Sequence, residues 1–103
     1  MLVIENGKTL AEQELFALMS APAVPDLLRV ADEPLTVKEL SCRADVPLST
    51  AYREVKRLHE AALFEKSIMV DHSDGRHVAQ YHRTFERMEV SVTDDGLRIE
   101  LAG

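Results

Sequence analysis

The stretch Thr36–Leu63 constrains the fold most, because it contains the signals for two helices separated by a short break. Thr36 is a good N-cap residue and Glu39 follows three residues later, which predicts a capping box at the start of the first helix. Pro47 disfavours helical backbone at the residue before it, so this helix is expected to end by about Val46.

The residues after the break predict a longer helix with two different faces. Ser49 or Thr50 is expected to cap its N-terminus. Apolar residues recur at steps of three and four, which places them on one helical face. These residues are Leu48, Ala51, Val55, Leu58 and Ala62. The opposite face is basic and rich in hydroxyl groups, with Ser49, Arg53, Lys56, Arg57 and Glu60 at its centre and Thr50 and Tyr52 at its margins.

Two helices joined by a turn of three or four residues are typical of the helix-turn-helix unit. The second helix of such a unit can lie in the DNA major groove, and Ser, Thr, Tyr, Arg and Lys side chains contact phosphates and bases there. An ordinary surface helix also has a polar outer face. It is therefore the capped first helix and the turn, together with the charged face, that favour DNA binding.

The spacing of apolar residues changes after Leu63 from a helical period to alternation. Residues 64–70 and 78–85 mostly alternate between apolar and polar side chains around a polar turn that contains Gly75, which predicts a β-hairpin. A hairpin directly after a recognition helix is expected to be a wing. Arg76 and His77 at its tip could reach the DNA backbone or the minor groove, and Arg76 is the candidate DNA contact, although a charged hairpin tip is also ordinary solvated surface.

A second hairpin is predicted at the C-terminal end. Residues 88–92 and 97–101 alternate on either side of an Asp-Asp-Gly turn. A lone two-stranded hairpin is marginally stable in water. We therefore expect it to pack either beside the first hairpin or against a partner subunit.

The segment TVKELSCRADVPLSTAYREVKRLHEAALFEK resembles the winged helix-turn-helix domain of small archaeal transcriptional regulators of the ArsR-like type, especially the haloarchaeal ones. The resemblance covers roughly residues 22–85 and is clearest over Leu48–Arg53 and Leu58–Leu63. It implies a homodimeric DNA-binding regulator. One departure is Ala62, where the family usually has a glycine whose left-handed conformation ends the helix. The exit from this helix is expected to differ slightly.

The N-terminal part predicts a short strand at residues 2–5, an Asn6-Gly7 turn and a helix from about Leu10 to Ser20. Thr9 and Glu12 form a second possible capping box. The family resemblance implies that this helix packs on a second subunit, and its apolar side is equally suited to its own core. Pro22 and Pro25 are expected to delay the next helix until Asp26.

The expected fold is therefore a single α+β domain, a winged helix-turn-helix with a three-helix core. It divides into an N-terminal extension (1–21), the helical core (22–63), the wing (64–85) and the C-terminal hairpin (86–103). The 103 residues suit one domain.

The net charge of −6 has the wrong sign for a general nucleic-acid binder. The charge is unevenly distributed, because residues 1–37 carry −4, residues 38–66 carry +1 and residues 67–103 carry −3. The segment with the predicted DNA-reading helices is thus the one that is not acidic. An acidic surface also suits a salt-rich cytoplasm, where phosphate contacts are screened, and equally an ordinary acidic protein.

Other chemistry is not indicated by the sequence. Nothing resembles a phosphate-binding glycine loop or a nucleophile with its base, so we expect no enzyme and no cofactor. Asp71, His72, Asp74 and His77 cluster around a turn, which holds metal ligands poorly, and no metal site is expected. Cys42 is expected to be a small buried residue. A lone cysteine and the lack of an apolar run of about eighteen residues favour the cytoplasm and no membrane contact.

The predicted partner is duplex DNA. The candidate contacts are Ser49, Thr50, Tyr52, Arg53, Lys56, Arg57 and Arg76. Arg53 is the candidate for reading a guanine edge, because its fork matches O6 and N7. Lys56 and Arg57 are expected to hold phosphates. The alternative is a winged-helix module of the transcription machinery that binds proteins without binding DNA.

Overall fold

The computed structural model describes residues 2–4, 12–94 and 96–103, and describes only the backbone of residues 2–4, 12–14 and 97. The expected Asn6-Gly7 turn, the Thr9–Glu12 capping box and the start of the first helix fall outside these residues. The described part is α+β, with four helices and two small antiparallel sheets. Its elements are β1 (Leu2–Ile4), α1 (Glu12–Met19), α2 (Val24–Val30), α3 (Val37–Ala44), α4 (Leu48–Glu60), β2 (Phe64–Val70), β3 (His77–Arg83), β4 (Arg87–Thr93) and β5 (Gly96–Ala102).

The apolar side of α1 is used within the chain. Leu15 and Leu18 are buried in the single hydrophobic core, and the helix contacts α2 and β5. In the structure α1 packs on the core of its own chain, which is one of the two arrangements predicted for it.

The start of α2 differs from the prediction. The helix begins at Val24 and includes Pro25 in its first turn, so the prediction that Pro25 would delay it until Asp26 is wrong. Proline is tolerated in the first turn because the N–H that it lacks has no intrahelical partner there. Val24 is fully buried, so the two additional residues bring one more apolar side chain of the helix into the core.

The capping box of α3 is confirmed. The Thr36 hydroxyl accepts a hydrogen bond from the Glu39 N–H at 3.1 Å, and the Glu39 carboxylate accepts one from the Thr36 N–H at 3.0 Å. The helix buries Val37, Leu40 and Ala44. It ends because Asp45 takes the left-handed conformation with φ 55°.

The start of α4 corrects two predictions. Pro47, with φ −53° and ψ 141°, occupies the N-cap position, and no side chain in the described residues caps this helix. Ser49 and Thr50 therefore lie inside the first turn and do not act as caps. Leu48, expected on the apolar face, is 41% exposed, because at the first position of the helix it lies beyond the reach of the core.

The exit from α4 is held by a pair of backbone hydrogen bonds. Ala62 has φ 62°. The Leu63 N–H donates to the Leu58 carbonyl at 2.9 Å, and the Ala62 N–H donates to the His59 carbonyl at 3.0 Å. This is the Schellman motif that usually has glycine at the left-handed position. Ala62 is exposed and follows the helix, so it does not belong to the apolar face assigned to it.

Both predicted hairpins are present. β2 pairs with β3 from Phe64↔Arg83 to Val70↔His77, and β4 pairs with β5 from Arg87↔Ala102 to Thr93↔Gly96. β1 pairs with the other edge of β5, giving the strand order β1-β5-β4. The second hairpin thus packs on β1 and α1 of its own chain, through the buried side chains Ile99 and Leu101 on β5. Neither of the two predicted arrangements, beside the first hairpin or against a partner subunit, included this packing.

The first hairpin is attached to the helices at its base. Leu35, just before α3, exchanges two backbone hydrogen bonds with Tyr81 at 3.0 and 2.7 Å. The Arg83 guanidinium donates to the carbonyls of Leu28 at 2.9 Å and Phe85 at 3.0 Å. The hairpin is therefore fixed against α3 and the end of α2, on the same side of the molecule as α4.

Candidate nucleic-acid interface

The exposed face of α4 carries most of the predicted contact residues. Ser49, Arg53 and Lys56 are exposed along it, at the steps of four and three that one helical face requires. Tyr52 is about half exposed at one margin, and Thr50 is half-buried at the other. The core side is formed by Ala51, Val55 and Leu58, as predicted.

One buried carboxylate holds two of the predicted arginines. Glu54 is 2% exposed, and its Oε1 accepts a hydrogen bond from Arg53 Nε at 2.9 Å while its Oε2 accepts one from Arg57 Nη1 at 3.0 Å. A buried carboxylate is tolerated when cations and hydrogen bonds satisfy it. Glu54 therefore fixes the direction of both guanidinium groups along one flank of α4.

The contact with Glu54 leaves Arg53 suited to reading a base edge. Its Nε, and not its terminal nitrogens, donates to Glu54. The terminal nitrogens belong to the planar fork that contacts guanine O6 and N7. Arg57 uses a terminal nitrogen for its two bonds to Glu54, so its fork is partly committed to the protein.

A groove lies between α4, the start of α3 and the β2–β3 hairpin. It encloses about 780 Å³, and we call it the basic groove because cations outnumber anions along it. Its charged lining residues are Lys38, Lys56, Lys66, Arg76 and Glu60. The groove is also lined by uncharged residues such as Tyr52, Val55, Ala79 and Tyr81, and by His59 and His77.

The strand register explains why the hairpin faces α4 with these residues. Lys66 lies opposite Tyr81, and opposite residues of an antiparallel pair point to the same face. Alternate residues from both strands therefore face the groove. His59 joins the two walls, since its ring meets the Tyr81 ring edge-on at a centroid distance of 5.9 Å.

The hairpin tip is structured by short-range hydrogen bonds. Gly75, with φ 74°, allows the turn to close, and the Asp71 N–H donates to the Arg76 carbonyl at 2.7 Å. Hydrogen bonds from the Ser73 hydroxyl and N–H lower the pKa of Asp71. Arg76 Nε lies 2.7 Å from an Asp74 carboxylate oxygen, so part of the charge of Arg76 is neutralised locally.

The predicted contact residues thus lie at different places around α4. Tyr52, Lys56 and Arg76 line the basic groove. Thr50 and Arg53 border a smaller depression on the other side of α4, beside the start of α2. Ser49 lies exposed in the first turn, and Arg57 is held at Glu54.

Three groups of residues at this site were not predicted from the sequence. Lys38 and Lys66 belong to the groove, but they lie on α3 and β2 and nothing in their local pattern connects them with α4. His59 was not predicted, for the same reason, whereas His77 was expected at the hairpin tip beside Arg76. Glu54 could have been found, because it stands three residues after Ala51 and four before Leu58, on the apolar face.

The described residues contain no group of three His, Cys, Asp or Glu side chains that could hold a metal ion, and this includes the cluster around the hairpin tip. Cys42 is exposed, so the expectation that it is buried is wrong. It stands on the outer side of α3, away from Leu40 and Ala44, which point into the core. None of the described helices has the length and apolar character that a membrane crossing requires.

No protein-family model, curated protein sequence or solved structure matches this chain. The resemblance to ArsR-like regulators therefore stays a prediction.

Proposed function

We propose that this protein is a winged helix-turn-helix regulator of transcription that binds duplex DNA as a homodimer. In this proposal α3 and α4 form the helix-turn-helix unit, joined by Asp45–Pro47, and α4 enters the major groove. The β2–β3 hairpin is the wing and contacts the backbone or the minor groove beside it.

The observation that carries the proposal is the basic groove. Its lining has four cationic side chains and one carboxylate, in a chain whose net charge is −6. Positive charge concentrated on one surface of an acidic protein is the expected footprint of phosphate binding. The groove also lies between the two elements, helix and hairpin, that contact DNA in the proposed arrangement.

The side chains divide by role according to their position. Lys38, Lys56, Lys66 and Arg76 in the basic groove are assigned to phosphates. Arg53 on the exposed face of α4 is assigned to a guanine edge, with Ser49 and Tyr52 beside it. Arg57 and Thr50, which lie on the side of α4 near Glu54, are assigned to the DNA backbone. In addition, the first N–H groups of α4, which no side chain caps, favour a phosphate at that end.

Fluorescence anisotropy with random duplexes and with fragments selected from genomic DNA tests the proposal. Binding is measured across a potassium chloride series that reaches molar concentration. We expect Lys56→Ala to weaken binding to all sequences alike, and Arg53→Ala to weaken binding and to reduce the preference for the selected fragments. Arg29→Ala on α2 is the control, because Arg29 is an equally exposed arginine outside the groove.

Two results would count against this function. Equal losses on selected and random DNA for Arg53→Ala would remove the base-reading role. A folded protein without DNA affinity at any salt concentration would refute DNA binding itself.

One observation favours a second function, in which the same surface binds a protein. Ile68, Met69 and Val70 on β2 are exposed apolar side chains, and Ile68 and Val70 share the groove-facing side of the hairpin with Lys66. Such apolar surface suits a protein partner better than a phosphate backbone. The absence of salt-dependent DNA affinity in an intact fold would favour this alternative.

A further inference from the structure

The outer edge of β4 is an unpartnered, apolar strand. Among the described strands β4 pairs with β5 alone, and it stands at the edge of its sheet. Val90 is 56% exposed and Val92 is 84% exposed. A long edge strand with exposed β-branched side chains and few charges readily pairs with another strand.

Among the residues that the structure describes, the half of the hairpin nearest its turn consists of β4 and β5. The described pairs of β1 with β5 lie at residues 99–101, so the part of the hairpin that contains Val92 has two described strands. Two strands alone are marginally stable in water, and a further strand or packed surface stabilises them. The molecule is elongated, with extents of 55 × 24 × 20 Å, which is consistent with hairpins that project from the helical core.

We propose that β4 pairs antiparallel with β4 of a second copy of this chain, about a two-fold axis that passes through Val90. In this register Val90 faces Val90 of the second copy, and Met88 faces Val92. The apolar residues of both strands then lie on one side of the joint sheet, which continues the side on which Ile99 and Leu101 are buried. A two-fold contact, in which both chains use the same surface, is the commonest arrangement in dimers of soluble proteins.

The charged side chains favour this register over the registers with the axis one residue earlier or later. Shifting the axis to Glu89 places two glutamates directly opposite each other, which is destabilising. Shifting it to Ser91 places Met88 opposite Asp94. With the axis at Val90, Glu89 faces Ser91 and Arg87 faces Thr93, so no like charges are opposite and each charged side chain keeps its own partner, such as the Arg87–Glu89 ion pair.

The oligomeric state of the full chain in the absence of DNA provides the first test. Sedimentation equilibrium should give twice the 11.5 kDa chain mass. Val90→Lys, which places two like charges on the axis, should give a monomer at concentrations where the natural chain is a dimer. Val70→Lys is the matched control, since it alters an exposed valine on the other hairpin and should leave the dimer intact. Circular dichroism confirms that both variants are folded.

Cysteine cross-linking tests the register itself. Opposite residues in an antiparallel pair lie at a distance that a disulfide can span. In a Cys42→Ser background, Val90→Cys should oxidise to a covalent dimer, whereas Glu89→Cys and Ser91→Cys should cross-link poorly. A monomeric natural chain, a dimer that Val90→Lys leaves unchanged, or cross-linking strongest at another position would overturn the proposal. This interface rests on the homodimer of the proposed function, but because DNA is absent throughout, the outcome is independent of whether the protein binds DNA.

Discussion

At the residue scale, Ala62 has the clearest energetic consequence. It holds the left-handed conformation at the exit of α4 with φ 62°, and this conformation costs a residue with a Cβ roughly 1 kcal/mol or more relative to glycine. We predict that Ala62→Gly stabilises the protein by about 1 kcal/mol, which corresponds to a rise in Tm of about 4–8 °C for a domain of this size. Thermal unfolding followed by circular dichroism measures the shift.

Ala61→Gly is the control for this prediction. Ala61 has φ −82°, an ordinary value for a residue with a side chain, so the same chemical change there relieves no strain. It should lower stability by about 0.5–1 kcal/mol through the extra freedom of the unfolded chain. Equal effects of the two substitutions would show that the left-handed conformation of Ala62 stores no energy.

Residues of the candidate site were predictable from sequence only where one helix displays them. The spacing in α4 places Arg53 and Lys56 on its outer face because helical periodicity is local. Lys38 and Lys66 were not predictable, since tertiary packing brings α3 and β2 next to α4. The burial of Glu54 was predictable from its place on the apolar face, but its hydrogen bonds to Arg53 and Arg57 are seen only in the structure.

At the scale of elements, α3 shows which helix ends can be predicted. Both partners of its capping box lie within one turn, so the motif is complete in the sequence and is confirmed. The N-cap of α4 was predicted two to three residues late, because Pro47 takes that position, whereas Ser49 and Thr50, which have good capping chemistry, lie inside the first turn. Strand alternation around Gly75 and Gly96 likewise predicted both hairpins, whereas their packing partners follow from the fold.

The cap of α3 should make stability depend on pH. Hydrogen bonding from the Thr36 backbone N–H is the main cause that lowers the pKa of Glu39, and the Thr36 hydroxyl and Arg43 lower it further. Because the pKa is lower in the folded state, ionised Glu39 stabilises the fold above its ordinary value of 4.5. That contribution is lost as the pH falls through the folded-state pKa.

Glu39→Gln keeps the capping geometry and removes the charge. We predict that the natural chain has the higher Tm near neutral pH and that the difference narrows as the pH is lowered below 4.5, as measured by thermal unfolding at a series of pH values. Thr36→Ala, which removes the cap itself, should cost about 1 kcal/mol in the free energy of unfolding near neutral pH. A difference between Glu39→Gln and the natural chain that stays constant with pH would contradict the assigned role of the charge.

At the scale of the whole molecule, the distribution of charge over the surface says more about phosphate binding than the net charge does. The chain is acidic overall, so its general field repels DNA, while the basic groove attracts phosphates at short range. The segment-by-segment charge count predicted a local excess of cations, but it could not reveal the groove, because Arg76 comes from the hairpin and Lys38 from the opposite wall.

If the protein binds DNA as proposed, the salt dependence of that binding separates the effect of the net charge from the effect of the basic groove. Each phosphate contact adds about 0.9 to the steepness with which log Kobs falls with log salt concentration. If Lys66 contacts a phosphate, Lys66→Gln should make the slope shallower by about that amount. Arg29→Gln removes the same charge from α2, outside the groove, so it changes the net charge equally and should leave the slope nearly unchanged. Equal changes in the two variants would mean that DNA responds to the net charge of the molecule, and the groove would then have no special part in binding.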